Sequence, residues 1–111
     1  MNTKEMKQKW LEALRSGEYK QTKGTLKGVN EDGEVGYCCL GVFLSAVLED
    51  EPPKAYLEEG YETYADEGPQ EMYNKTMSIL GEGIQQAGID MNDFGKSFVE
   101  IADMIEKEWM V

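Results

Sequence analysis

The sequence predicts an α+β fold: a small compact domain of about four helices, with one short β-hairpin between the first helix and a buried central helix. Three observations predict this fold. Apolar residues recur at helical spacing near both ends of the chain, a glycine-rich segment with a turn sequence occupies residues 25–37, and a dense apolar run follows it. With 111 residues, 41% of them hydrophobic, the chain is expected to form one domain over residues 1–111.

The first helix is predicted to begin after Asn2 and to end at Gly17. Asn2 can cap the helix, since Glu5 stands three residues further on, and Gly17 supplies a stop. One face carries apolar residues at helical spacing: Met6, Trp10, Leu11 and Leu14. This spacing places Trp10 in the core.

A short β-hairpin is expected next. Residues 25–29 and 34–37 flank the run Asn30-Glu31-Asp32-Gly33, which is typical of a hairpin loop. Residues 19–21, just before the hairpin, are predicted to be extended. The glycines in this region should keep the strands short.

The apolar run at residues 39–48 predicts a buried central helix. Gly41 within it indicates close packing against a neighbour that leaves no room for a methyl group, and Trp10 is the expected neighbour.

The only two cysteines, Cys38 and Cys39, are adjacent, and a disulfide between them would staple nothing distant, so both are expected to be reduced. Two interpretations remain. The thiols are small core residues, or Cys38 begins the helix near Lys20 and Arg15 and gains reactivity from a lowered pKa.

The second half of the chain is predicted to hold an acidic segment and two helical stretches. Residues 49–71 are rich in carboxylates and tyrosines and are expected to form a partly ordered excursion that lies on the body. A helical stretch follows Pro69 and runs toward Ala87, with a break at Gly81 or Gly83. The last helix begins at a capping box formed by Ser97 and Glu100.

The charge is distributed unevenly. The net charge is −11, yet residues 1–27 carry seven basic and three acidic side chains, whereas residues 28–111 carry four lysines and nineteen acids. Most of the surface should therefore repel nucleic acid, while the basic amino-terminal segment can hold a small anion at short range.

Several function classes are disfavoured. The chain has no histidine, which removes the serine–histidine and cysteine–histidine nucleophile pairs, and no spacing singles out a pair of carboxylates, so we expect no enzyme and no cofactor. The turn at residues 90–96 fits an EF-hand loop at its first positions, but Phe94 and Ile101 occupy positions that need oxygen ligands, so no metal site is expected.

No apolar stretch is long enough for a membrane span and the first residues lack a signal peptide core, which predicts a cytoplasmic protein. A homo-oligomer remains open.

Three blocks carry a resemblance to a known group of proteins. They are Trp10…Ala13-Leu14-Arg15-Ser16-Gly17 with Tyr19-Lys20-Gln21, then Tyr37-Cys38-Cys39-Leu40-Gly41-Val42, then Met91-Asn92-Asp93…Gly95-Lys96-Ser97-Phe98…Glu100-Ile101-Ala102-Asp103. In this order they resemble a family of small uncharacterised phage and prophage proteins. The resemblance implies a phage accessory protein acting in host takeover or counter-defence, and it implies no established activity. Relatives often continue with cysteine and aspartate where this chain has residues 43–45.

Two functions follow as hypotheses. In the first, a pocket between the first helix, the hairpin and the turn at 91–98 sequesters a small phosphate-bearing ligand, such as a nucleotide signal of bacterial immunity. Its predicted ligand-binding residues are Arg15, Lys20, Lys23 and Lys96 for phosphate, Tyr19, Tyr37 or Phe98 for stacking, Asn92 and Asp93 for base or ribose edges, with Ser16 and Gln21. In the second, an acidic face formed by residues 49–71 and 100–108 occupies a basic surface of a host protein, as a nucleic-acid mimic would. The structural alternative for the first is that the cations pair with the chain's own acids.

Overall fold

The fold is taken from a computed structural model, which describes residues 1–30, 32–58, 61–64 and 69–111. These residues form an α+β domain of five α-helices, one π-helical segment and a four-stranded sheet. In chain order the elements are α1 (Thr3–Arg15), β1 (Lys27–Val29), β2 (Val35–Tyr37), α2 (Cys39–Val42), the π-helical segment (Phe43–Val47), β3 (Ala55–Glu58), β4 (Tyr61–Tyr64), α3 (Pro69–Leu80), α4 (Glu82–Asp93) and α5 (Phe98–Glu108). The predicted fold class is confirmed.

The helix boundaries follow the local signals closely. The Asn2 side chain accepts a hydrogen bond from the Glu5 amide at the start of α1, and Ser97 and Glu100 form the predicted capping box of α5. The stretch expected between Pro69 and Ala87 is two helices, because Gly81 has a φ of 83° and interrupts the helical path. α4 also continues to Asp93, so residues 90–93, which were expected to form a turn, are helical.

The sheet has the strand order β2-β1-β3-β4. β1 and β2 form the predicted antiparallel hairpin, with Gly28 opposite Gly36, and Gln21 forms an isolated bridge with Tyr37. β3 and β4 were not predicted, since the sequence indicated only a partly ordered acidic excursion over 49–71. β3 pairs in parallel with β1 and antiparallel with β4, so main-chain pairing orders part of this acidic segment. Residues 59–60 and 65–68 of the excursion lie outside the described residues.

The core surrounds Trp10, which is fully buried. Its ring makes edge contacts with Phe43, at 5.0 Å between ring centroids, and with Trp109, at 6.0 Å. Its indole Nε1 donates a hydrogen bond of 2.9 Å to the Cys39 carbonyl oxygen. α1, α5 and the central helical segment therefore meet around a single side chain, as the apolar periodicity of the first helix predicted for Trp10.

Gly41 packs against the main chain of Leu26, and the expectation that Trp10 would be its neighbour was wrong. A Cβ atom on Gly41 would overlap the Leu26 carbonyl oxygen and lie 3.3 Å from the Tyr37 ring. The same carbonyl accepts a hydrogen bond from the Cys38 amide at 3.1 Å. The absence of a side chain at Gly41 thus lets the central helix start directly against the segment that leads into β1.

We expect Gly41→Ala to destabilise the protein severely, because the overlap is with main-chain atoms that cannot rotate away. Gly83→Ala is the matched control: Gly83 lies in the first turn of α4 with nothing within 4 Å of an added Cβ. It should raise the free energy of unfolding by up to about 1 kcal/mol through helix propensity. Urea denaturation, monitored by circular dichroism, measures the free energy of unfolding of each variant. Equal stability of the two variants would contradict the packing argument.

Candidate functional site

The segment after α1 docks onto the end of α4 through side-chain amides. Gln21 Nε2 donates to Asn92 Oδ1 at 3.0 Å and to the Lys96 carbonyl oxygen at 2.7 Å. Asn92 Nδ2 donates to the Thr22 carbonyl oxygen at 2.7 Å, and Asn92 is completely buried. The Asp93 carboxylate accepts a hydrogen bond from the Gly24 amide at 3.1 Å. These contacts hold residues 21–24 against residues 92–96.

This docking brings together a surface that we call the basic turn, formed by Lys23, Asp93, Phe94 and Lys96. The side chain of Lys23 lies against Gly95: a Cβ atom added to Gly95 would be 3.3 Å from Lys23 Nζ. Gly95 has a φ of 85°, a conformation that favours glycine. The Phe94 ring is 84% exposed. Sequence reasoning missed this ring, since nothing in the local pattern showed that Phe94 would lie outside and Phe98 inside.

Lys23 differs from most of the predicted phosphate-binding cations in its pairing. No carboxylate lies within salt-bridge distance of Lys23 in the part of the chain that the structure describes, and Lys96 Nζ is 3.9 Å from Glu100 Oε2. The Asp93 carboxylate, though exposed, is engaged by the Gly24 amide. The basic turn thus contains one unpaired ammonium group, one weakly paired ammonium group and an exposed aromatic residue.

Arg15 and Lys20 lie elsewhere and are paired with the chain's own acids. Arg15 Nη2 is 2.9 Å from Asp103 Oδ1 and its Nη1 is 3.1 Å from Glu106 Oε2, so it joins α1 to α5. Its hydrogen bonds raise the pKa of the guanidinium, and the bond to Glu106 has a larger effect than the bond to Asp103. Lys20 forms an ion pair with Glu34 next to β2. The predicted cluster of cations is therefore divided among three places on the surface.

The remaining predicted residues fall into two groups. Tyr19 and Tyr37 pack edge to face, with 5.3 Å between ring centroids, and the Ser16 hydroxyl donates to the Ala13 carbonyl oxygen at the end of α1. Phe98 is only 8% exposed, because it lies on the apolar face of α5 that closes the core. The expectation that Phe98 would stack on a base was wrong for this reason. Asn92 is likewise buried, and its amide is used within the fold.

The predicted acidic face is partly neutralised within the protein. In the described parts of 49–71 and 100–108, Asp50 pairs with Lys75 at 2.7 Å and Glu51 with Lys27 at 2.7 Å, and Arg15 holds two carboxylates of α5. Side chains at residues 57–58 and 61–64 lie outside the described ones.

A comparison with known proteins identifies the family of this chain. A family model described as Domain of unknown function (DUF8296) matches residues 1–75. The chain belongs to the DUF8296 family. No curated protein and no solved structure matches it significantly. The matched residues include α1, the sheet and the central helical segment, whereas α4, α5 and the turn between them follow the match. Among the described residues of this DUF8296 chain, no helix is both long and apolar enough to cross a membrane.

The thiols of the DUF8296 chain are buried in the core. Cys38 Sγ accepts a hydrogen bond of 3.4 Å from the Gly41 amide at the start of α2. Burial raises the pKa of Cys38 to about 11 and raises the pKa of Cys39 well above its ordinary value. The hypothesis of a reactive Cys38 thiolate is wrong, because desolvation outweighs the hydrogen bonds that favour the charged form.

We expect both cysteines to react with Ellman's reagent only slowly at pH 8 in the native protein and completely after denaturation in guanidinium chloride. A thiol with a pKa of about 11 is almost fully protonated at this pH, and burial also blocks access. The release of thionitrobenzoate, followed by absorbance, measures the reaction. Immediate labelling of one thiol in the folded protein would contradict this account.

A polar network links the hairpin of the DUF8296 chain to the segment after the π-helix. Glu51 accepts hydrogen bonds from Lys27 at 2.7 Å, from the Tyr37 hydroxyl at 3.1 Å and from the Ser45 hydroxyl. Partial burial acts to raise the pKa of Glu51, but the hydrogen bonds from Lys27 and Ser45 and the charge of Lys27 outweigh burial. The pKa of Glu51 therefore lies below its ordinary value of 4.5.

Glu51→Gln should make the free energy of unfolding depend less on pH in the acidic range. Because the pKa of Glu51 is lowered in the folded state, its ionised form stabilises the fold above about pH 4.5, and this contribution is lost as the pH falls through the folded-state pKa. The difference in free energy of unfolding between wild type and variant should therefore shrink toward pH 3. Urea titrations between pH 3 and pH 7 measure this difference, and parallel profiles would rule out the assigned role.

Proposed function

We propose that this protein is a non-enzymatic binding protein that sequesters a small phosphate-bearing ligand, such as a nucleotide signal of bacterial immunity, at the basic turn. One observation carries the proposal: Lys23, without a carboxylate partner among the described residues, lies against Gly95, which stands in the sequence between the exposed Phe94 and Lys96. Because no carboxylate among the described residues pairs with Lys23, its ammonium group remains available to an external anion.

The groups of the basic turn suit the parts of a nucleotide. The ammonium groups of Lys23 and Lys96 donate charge-assisted hydrogen bonds to phosphate oxygens. The exposed Phe94 ring offers a stacking face to a base, in the role first assigned to Tyr19, Tyr37 or Phe98. The Asp93 carboxylate, which uses one oxygen on the Gly24 amide, has further acceptor capacity for ribose hydroxyls or base amino groups.

The turn is held in place before any ligand binds. Gln21 and Asn92 connect the two segments through three side-chain hydrogen bonds, two of which end on main-chain carbonyls. A site whose supporting groups are already hydrogen bonded loses less conformational entropy on binding. Gln21 and Asn92, predicted as direct ligand contacts, act in this proposal as the residues that position the turn.

The biological setting of the proposal comes from the resemblance to phage and prophage proteins. A small binding protein of this kind would act in counter-defence, in the cytoplasm of an infected bacterial host. The acidic remainder of the surface disfavours long nucleic acids, because their repeated phosphates would face carboxylates beyond the turn, and so favours a small ligand.

A thermal-shift screen against mononucleotides, nucleoside diphosphates and cyclic nucleotides, with inorganic phosphate alongside, tests the proposal. A ligand that binds the folded state raises the melting temperature by mass action. Isothermal titration calorimetry should then show that Lys23→Ala and Phe94→Ala each weaken binding by a factor of about 5 to 100, since a charge-assisted hydrogen bond or a stacked ring contributes about 1–3 kcal/mol.

Lys54→Ala is the control variant. Lys54 is exposed, and its substitution removes the same charge from a place outside the basic turn. It should leave the affinity almost unchanged. Binding that weakens equally in Lys54→Ala and Lys23→Ala, or no stabilising nucleotide in the screen, would refute the proposal.

A further inference from the structure

The two outer edges of the sheet differ in what lies beside them. The strand order is β2-β1-β3-β4, so β2 and β4 are the edge strands. The outer side of β2 is covered by the chain itself: the Tyr37 amide donates to the Lys20 carbonyl oxygen at 2.7 Å, and the Thr22 amide donates to the Tyr37 carbonyl oxygen at 2.9 Å. Among the residues that the structure describes, no main-chain segment is hydrogen bonded to the outer side of β4.

The outer side of β4 presents main-chain donors and acceptors. β4 pairs with β3 in antiparallel register, from Tyr61 opposite Glu58 to Tyr64 opposite Ala55. In such a pair, alternate residues direct their N–H and C=O groups toward the partner strand, and the residues between them direct these groups outward. Two of the four residues of β4 therefore offer an N–H and a C=O each to a further strand. An open edge of this kind is a template for an added strand.

The charge of the sequence around β4 selects which strand can be added. Residues 58–67 include five acids and no basic residue. Acids thus make up half of this segment, whereas they make up 22 of the 111 residues of the whole chain, so the segment is more acidic than the surface in general. Opposite charges on neighbouring strands stabilise their pairing, and like charges destabilise it. The segment therefore favours a strand that carries lysine or arginine.

A second copy of this chain is a poor occupant of the same edge. In a dimer joined through β4, two copies of a segment with five acids and no basic residue would approach each other. Like charges on paired strands are destabilising. Charged side chains on an edge strand are also a common means by which proteins prevent pairing between copies. The charge thus favours a basic partner over a second copy.

Two lysines of neighbouring elements are engaged with other acids. Lys27 of β1 pairs with Glu51 at 2.7 Å, and Lys75 of α3 pairs with Asp50 at 2.7 Å. Lys54 is the one basic residue in the sequence between positions 49 and 71. The chain itself thus supplies little positive charge to the acids of residues 58–67.

We propose that the outer edge of β4 binds an extended basic segment of a partner protein, which adds to the sheet as a fifth strand. Main-chain hydrogen bonds hold the added strand, and its lysine or arginine side chains select the acidic edge over other edges. This proposal takes up the hypothesis that the acidic segment of residues 49–71 meets a basic surface of a host protein, and it names the element that recognises that surface. It is separate from the function proposed for the basic turn.

The probe is a short acetylated and amidated peptide in which valine and arginine alternate. Its matched control has the same sequence with N-methyl groups on two adjacent central residues, which keeps the charge and interrupts main-chain pairing along both edges of the peptide. A second control replaces arginine by glutamate. Isothermal titration calorimetry at low salt should show binding of the arginine peptide, at least tenfold weaker binding of its N-methylated form, and no binding of the glutamate peptide.

Amide hydrogen exchange, measured by nuclear magnetic resonance, reports the strand pairing directly. Binding of the arginine peptide should slow the exchange of the two outward-facing amides of β4, which are either Tyr61 and Thr63 or Glu62 and Tyr64. The other two amides of β4 are directed toward β3 and should change little. The amides of α5, which lies outside the sheet, are the internal control.

Variants locate the site on the protein. Glu58→Gln and Glu62→Gln should each weaken binding of the arginine peptide about threefold, because each removes one charge beside the added strand. Glu108→Gln removes the same charge from an exposed residue at the end of α5 and should bind as the wild type does. Urea denaturation of all three variants separates a loss of binding from a loss of folding.

Four results would overturn the proposal. They are equal affinity for the arginine peptide and its N-methylated form, unchanged exchange of the β4 amides on binding, equal weakening by Glu62→Gln and Glu108→Gln, and a dimer of the free protein in which all β4 amides are already protected. The last result would assign the edge to a second copy of the chain. Because none of these measurements uses a nucleotide, they are independent of the function proposed for the basic turn.

Discussion

The hydrogen bond from the Trp10 indole to the Cys39 carbonyl oxygen joins the first helix to the start of the central helix, and the other elements are arranged around it. The indole ring must be surrounded to be buried, and Phe43 and Trp109 supply two of its neighbours. Trp109 is in turn placed by Lys7, which donates to the Trp109 carbonyl oxygen at 2.6 Å. An unsatisfied indole N–H in this core would be costly, so the contact selects one packing of α1 against α2 and α5.

The close approach of Gly41 to Leu26 also helps to position the basic turn. It brings the segment of residues 20–26 under the central helix, and from there residues 21–24 reach the end of α4. The same central helix continues directly into the π-helical segment, whose Phe43 packs against Trp10. The basic turn thus depends on a main-chain contact made at a distance from it, because that contact fixes the start of the segment that reaches α4.

Local signals predicted much of the fold. The caps at Asn2 and Ser97, the inward position of Trp10, the hairpin and the break at Gly81 each depend on residues that are close in sequence. The strands β3 and β4 were missed because their acidic composition is typical of a loop, while the hydrogen bonds that order them come in part from β1, far away in sequence. For the same reason the neighbour of Gly41 could not be identified from the sequence.

The sequence by itself determined the α+β class, the ends of the first helix and the start of the last, the buried central run, and the separation of a basic amino-terminal segment from an acidic remainder. Periodicity, capping and charge are local properties, which is why they could be assigned without the structure. Only the tertiary structure decided which charges remain available. Arg15 and Lys20 are neutralised by carboxylates that lie far away along the chain or across the hairpin, whereas Lys23 is not. It also decided that Phe94 is outside and Phe98 inside, since a ring at a helix start is buried or exposed according to what packs against it.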